Sequence, residues 1–160
     1  FDWPGEYEAG GVMMAAIESF HFKKSEEEDE TAVSRGKNLV FFFELDGIRI
    51  CHLGDLGHKL TDEMVEAIGD IDVLLLPVGG GVTIDHKTAH QVIEQIDPRI
   101  VVPMHYQIDG LKVDPELQNL EPFLKEVGVN SDPQEKLVIS SRSSLPEDNT
   151  SFVILEPRLG

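Results

Sequence analysis

Apolar positions in this chain come in short blocks separated by glycine, proline and acidic residues. Gly11–Ile17 (GVMMAAI), bounded by glycine and Glu18, reads as a short buried strand. Asn38–Leu45 (NLVFFFEL) and Ile48–His52 (IRICH) flank Asp46-Gly47, a dipeptide whose two positions tolerate positive φ, so the pattern predicts a two-residue hairpin. Val73–Pro77 (VLLLP) and Ile100–Met104 (IVVPM) are continuous apolar runs, as expected of strands covered on both faces.

Helical spacing occupies the gaps between these blocks. Thr61-Asp62-Glu63-Met64 has the shape of a helix start: the threonine can accept an orphan amide, and Met64, Val65 and Ile68 share a face that Gly69 ends. Asp85 can cap a second helix carrying Ala89, Val92, Ile93 and Ile96, and Asp97-Pro98 breaks it. Leu117–Val127 predicts a third helix, in which Pro122 fits only within the first turn or at a kink. Lys136–Ser140 and Ser151–Leu155 read as short closing strands. A helix followed by a buried strand, twice over, predicts a parallel or mixed α/β sheet in one domain over residues 1–160.

Composition narrows the partners. The 160 residues are 41% hydrophobic, enough for one core, and carry a formal charge of −17 with no lysine or arginine cluster. Nucleic acid and anionic membrane are therefore poor partners, and a small-molecule substrate fits better. Glu26-Glu27-Glu28-Asp29-Glu30 reads as a solvated loop. Cys51 is the sole cysteine, which excludes an intramolecular disulfide and a cysteine-rich zinc site. A reducing, cytoplasmic setting is the expectation. No apolar run is long enough to span a bilayer, and Phe1–Glu6 lacks the basic-then-apolar export pattern.

Candidate chemistry gathers at strand ends, where loops converge in α/β sheets. His21 follows the first predicted strand, Asp55 and His58 follow IRICH, Gly79-Gly80-Gly81 follows VLLLPV, and His105 follows IVVPM. Imidazole and carboxylate suit zinc, iron or manganese, and the two oxygens of Asp55 make it the best bridging candidate. Each residue also has a plainer role: Asp55 as a turn cap, His58 in solvent, His105 as a core histidine. His86 and His90 have i, i+4 spacing but no HExxH glutamate, and a solvated helix face explains them. His52 alternates in phase with Ile48 and Ile50, which points to packing or support rather than ligation. The triple glycine lacks GxGxxG spacing and a following Lys-Ser/Thr, so it predicts a tight turn, not a nucleotide loop; no GxSxG is present.

Taken in order, PGEYEAGGV, RGKNLVFFFELDGIRICHLGDLGH, DVLLLPVGGGVTID and IVVPMHY resemble the metallo-β-lactamase-fold superfamily, in its small zinc-dependent hydrolase branch related to ascorbate-phosphate lactonase-like proteins. The resemblance implies an αββα sandwich with a metal site at the edge between two sheets. It implies that Asp55 bridges metals, that His105 is the last histidine ligand, and that His21 is the histidine of the third motif. His58 is kept as a fourth candidate ligand, facing the site or solvent. The HxHxDH-like motif of such proteins is absent here, so the resemblance implies an N-terminally truncated fold, holding one divalent ion at most, zinc by that likeness. Hydrolysis of an ester, lactone or phosphodiester would follow, weak or absent without the missing ligands. The alternative is a non-catalytic binding or assembly module that forms a homo-oligomer or pairs with the missing N-terminal segment. A nuclease or RNA-processing role is a weaker third reading because of the acidic charge.

Overall fold

The computed structural model describes residues 3–21, 36–112 and 116–157, and the acidic run at 26–30 lies outside them. Seven strands form one mixed sheet in sequence order: β1 (Gly5–Ala9), β2 (Val12–Phe20), β3 (Lys37–Leu45), β4 (Ile48–His52), β5 (Val73–Pro77), β6 (Ile100–Met104) and β7 (Ser151–Phe152). The first four strands pair antiparallel, and β4 through β7 pair parallel. Because β2 and β4 are both antiparallel to β3, they run the same way as β5 and β6. The carboxyl ends of β2, β4, β5 and β6 therefore lie along one edge of the sheet.

Local chemistry sets these elements. Leu45 and Ile48 face each other across a turn in which Asp46 and Gly47 have φ of 51° and 77°, the two-residue hairpin expected from their sequence. Helix α1 (Asp62–Ile68) starts where Thr61 accepts the Met64 amide and stops at Gly69. Helix α2 (His86–Ile96) starts where Asp85 accepts the Thr88 amide at 2.8 Å, and Asp97 closes it in a left-handed conformation. Helix α3 (Glu121–Glu126) begins later than the Leu117 expected, with Pro122 in its first turn where no amide is required.

Alternation splits the sheet into two differently covered faces. Cys51, Leu74, Leu76 and Val101 point to one face and pack with Ile68 of α1, Ala89, Val92, Ile93 and Ile96 of α2 and Phe123 of α3. Ile48, Val73, Ile100 and Val102 point to the other, where Leu137, Ile139, Leu145 and Val153 of the C-terminal segment lie against them. No helix among the described residues is long and apolar enough to cross a membrane.

Two expectations need correction. Lys136–Ser140 is not a strand: an isolated bridge, Gln134–Leu155, lies just before it and outside the seven strands, and the apolar side chains Leu137 and Ile139 cover the sheet instead of extending it. The last strand covers only Ser151–Phe152 of the expected 151–155. The edge strand β1 was not expected, and β2 runs on to Phe20. The expected α/β class holds: the described residues form one mixed sheet with helices on one face and the C-terminal segment over the other.

Candidate metal centre

Three strand ends deliver three of the expected side chains to one place. His21 directly follows β2, Asp55 lies three residues beyond β4, and His105 directly follows β6. His21 Nε2 lies 3.9 Å from one Asp55 oxygen, and His105 Nε2 lies 3.5 Å from the other. Both distances exceed a hydrogen bond, so the carboxylate is apposed to the two rings without being consumed by either. Ligands about 2.1 Å from a shared tetrahedral cation would stand roughly 3.4 Å apart, close to the spacing seen here. Among the described residues, however, no group of three or more His, Cys, Asp or Glu side chains is arranged so that it could hold a metal ion as it stands. The donor chemistry fits a divalent cation; the set is a partial one.

His105 is held at a cost. Its φ is 54°, in the left-handed region that is uncommon for any residue but glycine, though Asn, Asp and His visit it more than others, and its Nδ1 is buried with no hydrogen-bond partner among the described residues. Two local costs therefore meet at one residue. The neighbouring glycine turn explains how the peptide is accommodated. Gly79 N–H donates to the His105 carbonyl at 3.0 Å, and a Cβ on Gly79 would stand 2.2 Å from that oxygen. The first glycine of the triple thus serves close backbone approach, and Gly80 and Gly81 take φ of 65° and 68° in the turn.

The loop carrying Asp55 is fixed from several sides. His52 Nδ1 accepts the Gly54 amide at 3.0 Å, the supporting role expected of it, and burial first of all holds this imidazole below its usual pKa despite the nearby Asp55 charge. Asn38 Oδ1 accepts the Asp55 amide at 2.9 Å; its Nδ2 donates to Ser19 Oγ at 2.7 Å and to the Leu53 carbonyl at 2.8 Å. Neither Asn38 nor Ser19 stands out in the sequence, because a polar residue within a strand carries no local sign of a partner 15 to 19 residues away.

His58 is not brought to the carboxylate. Its Nδ1 donates to the Lys59 carbonyl at 2.7 Å, and its Nε2 accepts the Phe20 amide at 3.3 Å, which leaves no ring nitrogen for a cation. With Gly57 N–H on the Phe20 carbonyl at 2.8 Å, it ties the loop to the residue preceding His21. His86 and His90 face Gln118 and Glu126 respectively, so they do not chelate as a pair. Burial drives the Cys51 thiol up to about 12, which removes it from nucleophilic chemistry.

A cavity of about 490 Å³ adjoins Asp55 and is lined by Lys37, Leu39, Phe41, His52 and Gly54 among others. A second, of about 320 Å³, lies at the opposite edge beside Asp72, whose buried carboxylate meets the Nε of Arg99 and of Arg142, each at 3.3 Å, and the Arg49 amide at 2.9 Å. That carboxylate is fully paired and serves the fold.

Comparison with known proteins gives a consistent answer. Residues 1–105 match the family model described as the β-lactamase superfamily domain, a span that takes in His21, Asp55 and His105. A metal-dependent hydrolase from Thermococcus onnurineus is 35% identical over 114 residues, covering 70% of this chain and 49% of that protein. One from Pyrococcus abyssi is 36% identical over 114 residues, with 70% and 48% covered. The chain thus spans about half the length of these curated relatives. The crystal structure of a protein from Thermotoga maritima, assigned to the zinc-dependent hydrolases of the metallo-β-lactamase superfamily, superposes with a TM-score of 0.69 at 36% identity, covering 98% of this chain and 72% of that one.

Proposed function

The chain belongs to the β-lactamase superfamily, and we propose that it forms part of a metal-dependent hydrolase in which Asp55, His21 and His105 hold a divalent cation, zinc by likeness to the Thermotoga maritima protein. One observation carries the reading: the two oxygens of Asp55 each face a different histidine, delivered from separate strand ends and not hydrogen-bonded to it. The names of the relatives support the same activity. His58 serves as a tie behind the site and not as a ligand.

A divalent cation bound there supplies Lewis acidity, which makes water nucleophilic near neutral pH and stabilises charge on an oxygen of the substrate. The protein's share is placement. Asp55 offers one oxygen toward each histidine, so the three side chains would hold one bound cation between them. The Gly79–His105 contact sets where the His105 ring stands, and the His52 and Asn38 bonds set where the Asp55 backbone stands. The substrate class is a small ester, lactone or phosphodiester. A net charge of −17 argues against nucleic acid as that substrate.

Metal content and turnover test the reading together. The intact protein, loaded with zinc and freed of excess, should retain metal by elemental analysis and hydrolyse at least one of a panel of chromogenic esters, lactones and phosphodiesters. Asp55→Ala should lose both. Full hydrolysis with unchanged zinc content in Asp55→Ala would sink it.

A further inference from the structure

We propose that Asn38 is a positioning residue of this centre: it holds the loop after β4 by its backbone, so that both oxygens of Asp55 stay free to face His21 and His105. The inference rests on the metal reading above and extends it to a residue that never touches a cation.

The hydrogen-bond inventory carries it. A loop aspartate commonly turns its carboxylate onto nearby backbone amides, which would occupy the very oxygens a cation needs. Here the amide two residues on, Gly57 N–H, goes to the Phe20 carbonyl at 2.8 Å, and other side chains hold the rest of the loop: Gly54 N–H goes to His52 Nδ1 and Asp55 N–H to Asn38 Oδ1. The Asp55 side chain accepts none of these three amides, stays 41% exposed to solvent, and sets its oxygens 3.9 and 3.5 Å from the rings of His21 and His105. Asn38 is itself buried and spends both amide donors, on Ser19 Oγ and the Leu53 carbonyl. Buried Ser19 lies two residues before His21, so this one amide ties the strand that delivers His21 to the loop that delivers Asp55. Gly54 completes the fit. It has φ of 59°, and a Cβ there would stand 2.3 Å from Asn38 Oδ1, so only glycine lets the loop lie against the amide.

An aspartate at position 38 could still accept the Asp55 amide but would lose both donors. An alanine there removes every link. The Gly54→Ala variant keeps Asn38 and pushes the loop away from it.

The experiment measures zinc affinity by chelator competition in the intact protein, and hydrogen exchange of the Asp55 amide in its metal-free form. Asn38→Ala should weaken zinc binding by about 10- to 100-fold, the usual effect of removing a residue that orients a ligand. It should speed Asp55 amide exchange by at least about tenfold, while Leu74 and Val101 in the core keep their protection. Ser19→Ala, which cuts the tie to the His21 strand but leaves the Asp55 contact in place, should weaken zinc binding by less than Asn38→Ala does. Gly54→Ala should reproduce the loss seen in Asn38→Ala, and it decides the matter if the latter does not fold. Unchanged zinc affinity in folded Asn38→Ala or Gly54→Ala overturns the proposal. If the unsubstituted protein takes up no zinc, the metal reading itself fails; Asp55 exchange unaltered by Asn38→Ala would then show separately that Asn38 does not hold the loop.

Discussion

His105 shows how a conformational cost can fall on a residue of the proposed centre. A side chain in the left-handed region costs roughly 1–2 kcal/mol relative to glycine, and His105 sits there at φ 54°. Ordinarily alanine is the more stabilising replacement, since glycine gives the unfolded chain more freedom. At this position the order should reverse, with His105→Gly more stable than His105→Ala by about 1 kcal/mol in urea titrations. Both should lose metal binding. If alanine proves the more stable of the two, the backbone is not strained there. Gly79 belongs to the same contact, because any Cβ on it meets the His105 carbonyl.

At the scale of elements, capping gives a pH-dependent test. Burial pushes the Asp85 carboxyl up, but hydrogen bonds from the Thr88 amide and hydroxyl, with the charges of His86 and Lys87 nearby, together hold it below its ordinary value. A carboxyl with its pKa depressed in the folded state contributes stability above the unfolded value of about 3.9 and loses it as pH falls through the lower folded value. Asp85→Ala should therefore cost about 1 kcal/mol at pH 7. The penalty should hold down to about pH 5 and shrink below about pH 4. A penalty that grows on acidification would assign the effect to packing instead. This helix, like the Asp46-Gly47 hairpin, was legible because its start depends on one local side chain. β1 was not: its exposed glutamates alternate around Tyr7 on a sheet edge, where one covered face leaves little pattern. Lys136–Ser140 misled for the converse reason, since Leu137 and Ile139 satisfy their alternation by packing over the sheet without joining its ladder.

At the scale of the whole molecule, the order of strands is what turns scattered motifs into a site. His21, Asp55 and His105 could each be marked in the sequence as strand-end residues, but their adjacency depends on β2, β4 and β6 running the same way, which no local pattern encodes. Asn38 and Ser19 stayed hidden for the same reason, as their partners are distant in sequence. Charge, by contrast, is a property of the whole chain and reads directly from it. Thirty acidic residues against thirteen basic ones leave an excess of seventeen that no internal ion pair can cancel. The excess repels itself more strongly in the compact state than in the expanded one. Salt shortens the reach of that repulsion to about 10 Å at 0.1 M. The Asp72 carboxylate, buried against Arg99 and Arg142, is screened much less, so its attraction survives where the surface repulsion fades. Melting temperature at pH 7.5 should therefore rise by a few degrees between about 10 and 200 mM sodium chloride. Calorimetry or a circular-dichroism melt with chelator present, so that no cation occupies the centre, would measure it, and a melting temperature that falls with salt would show that attractive surface pairs outweigh the excess charge.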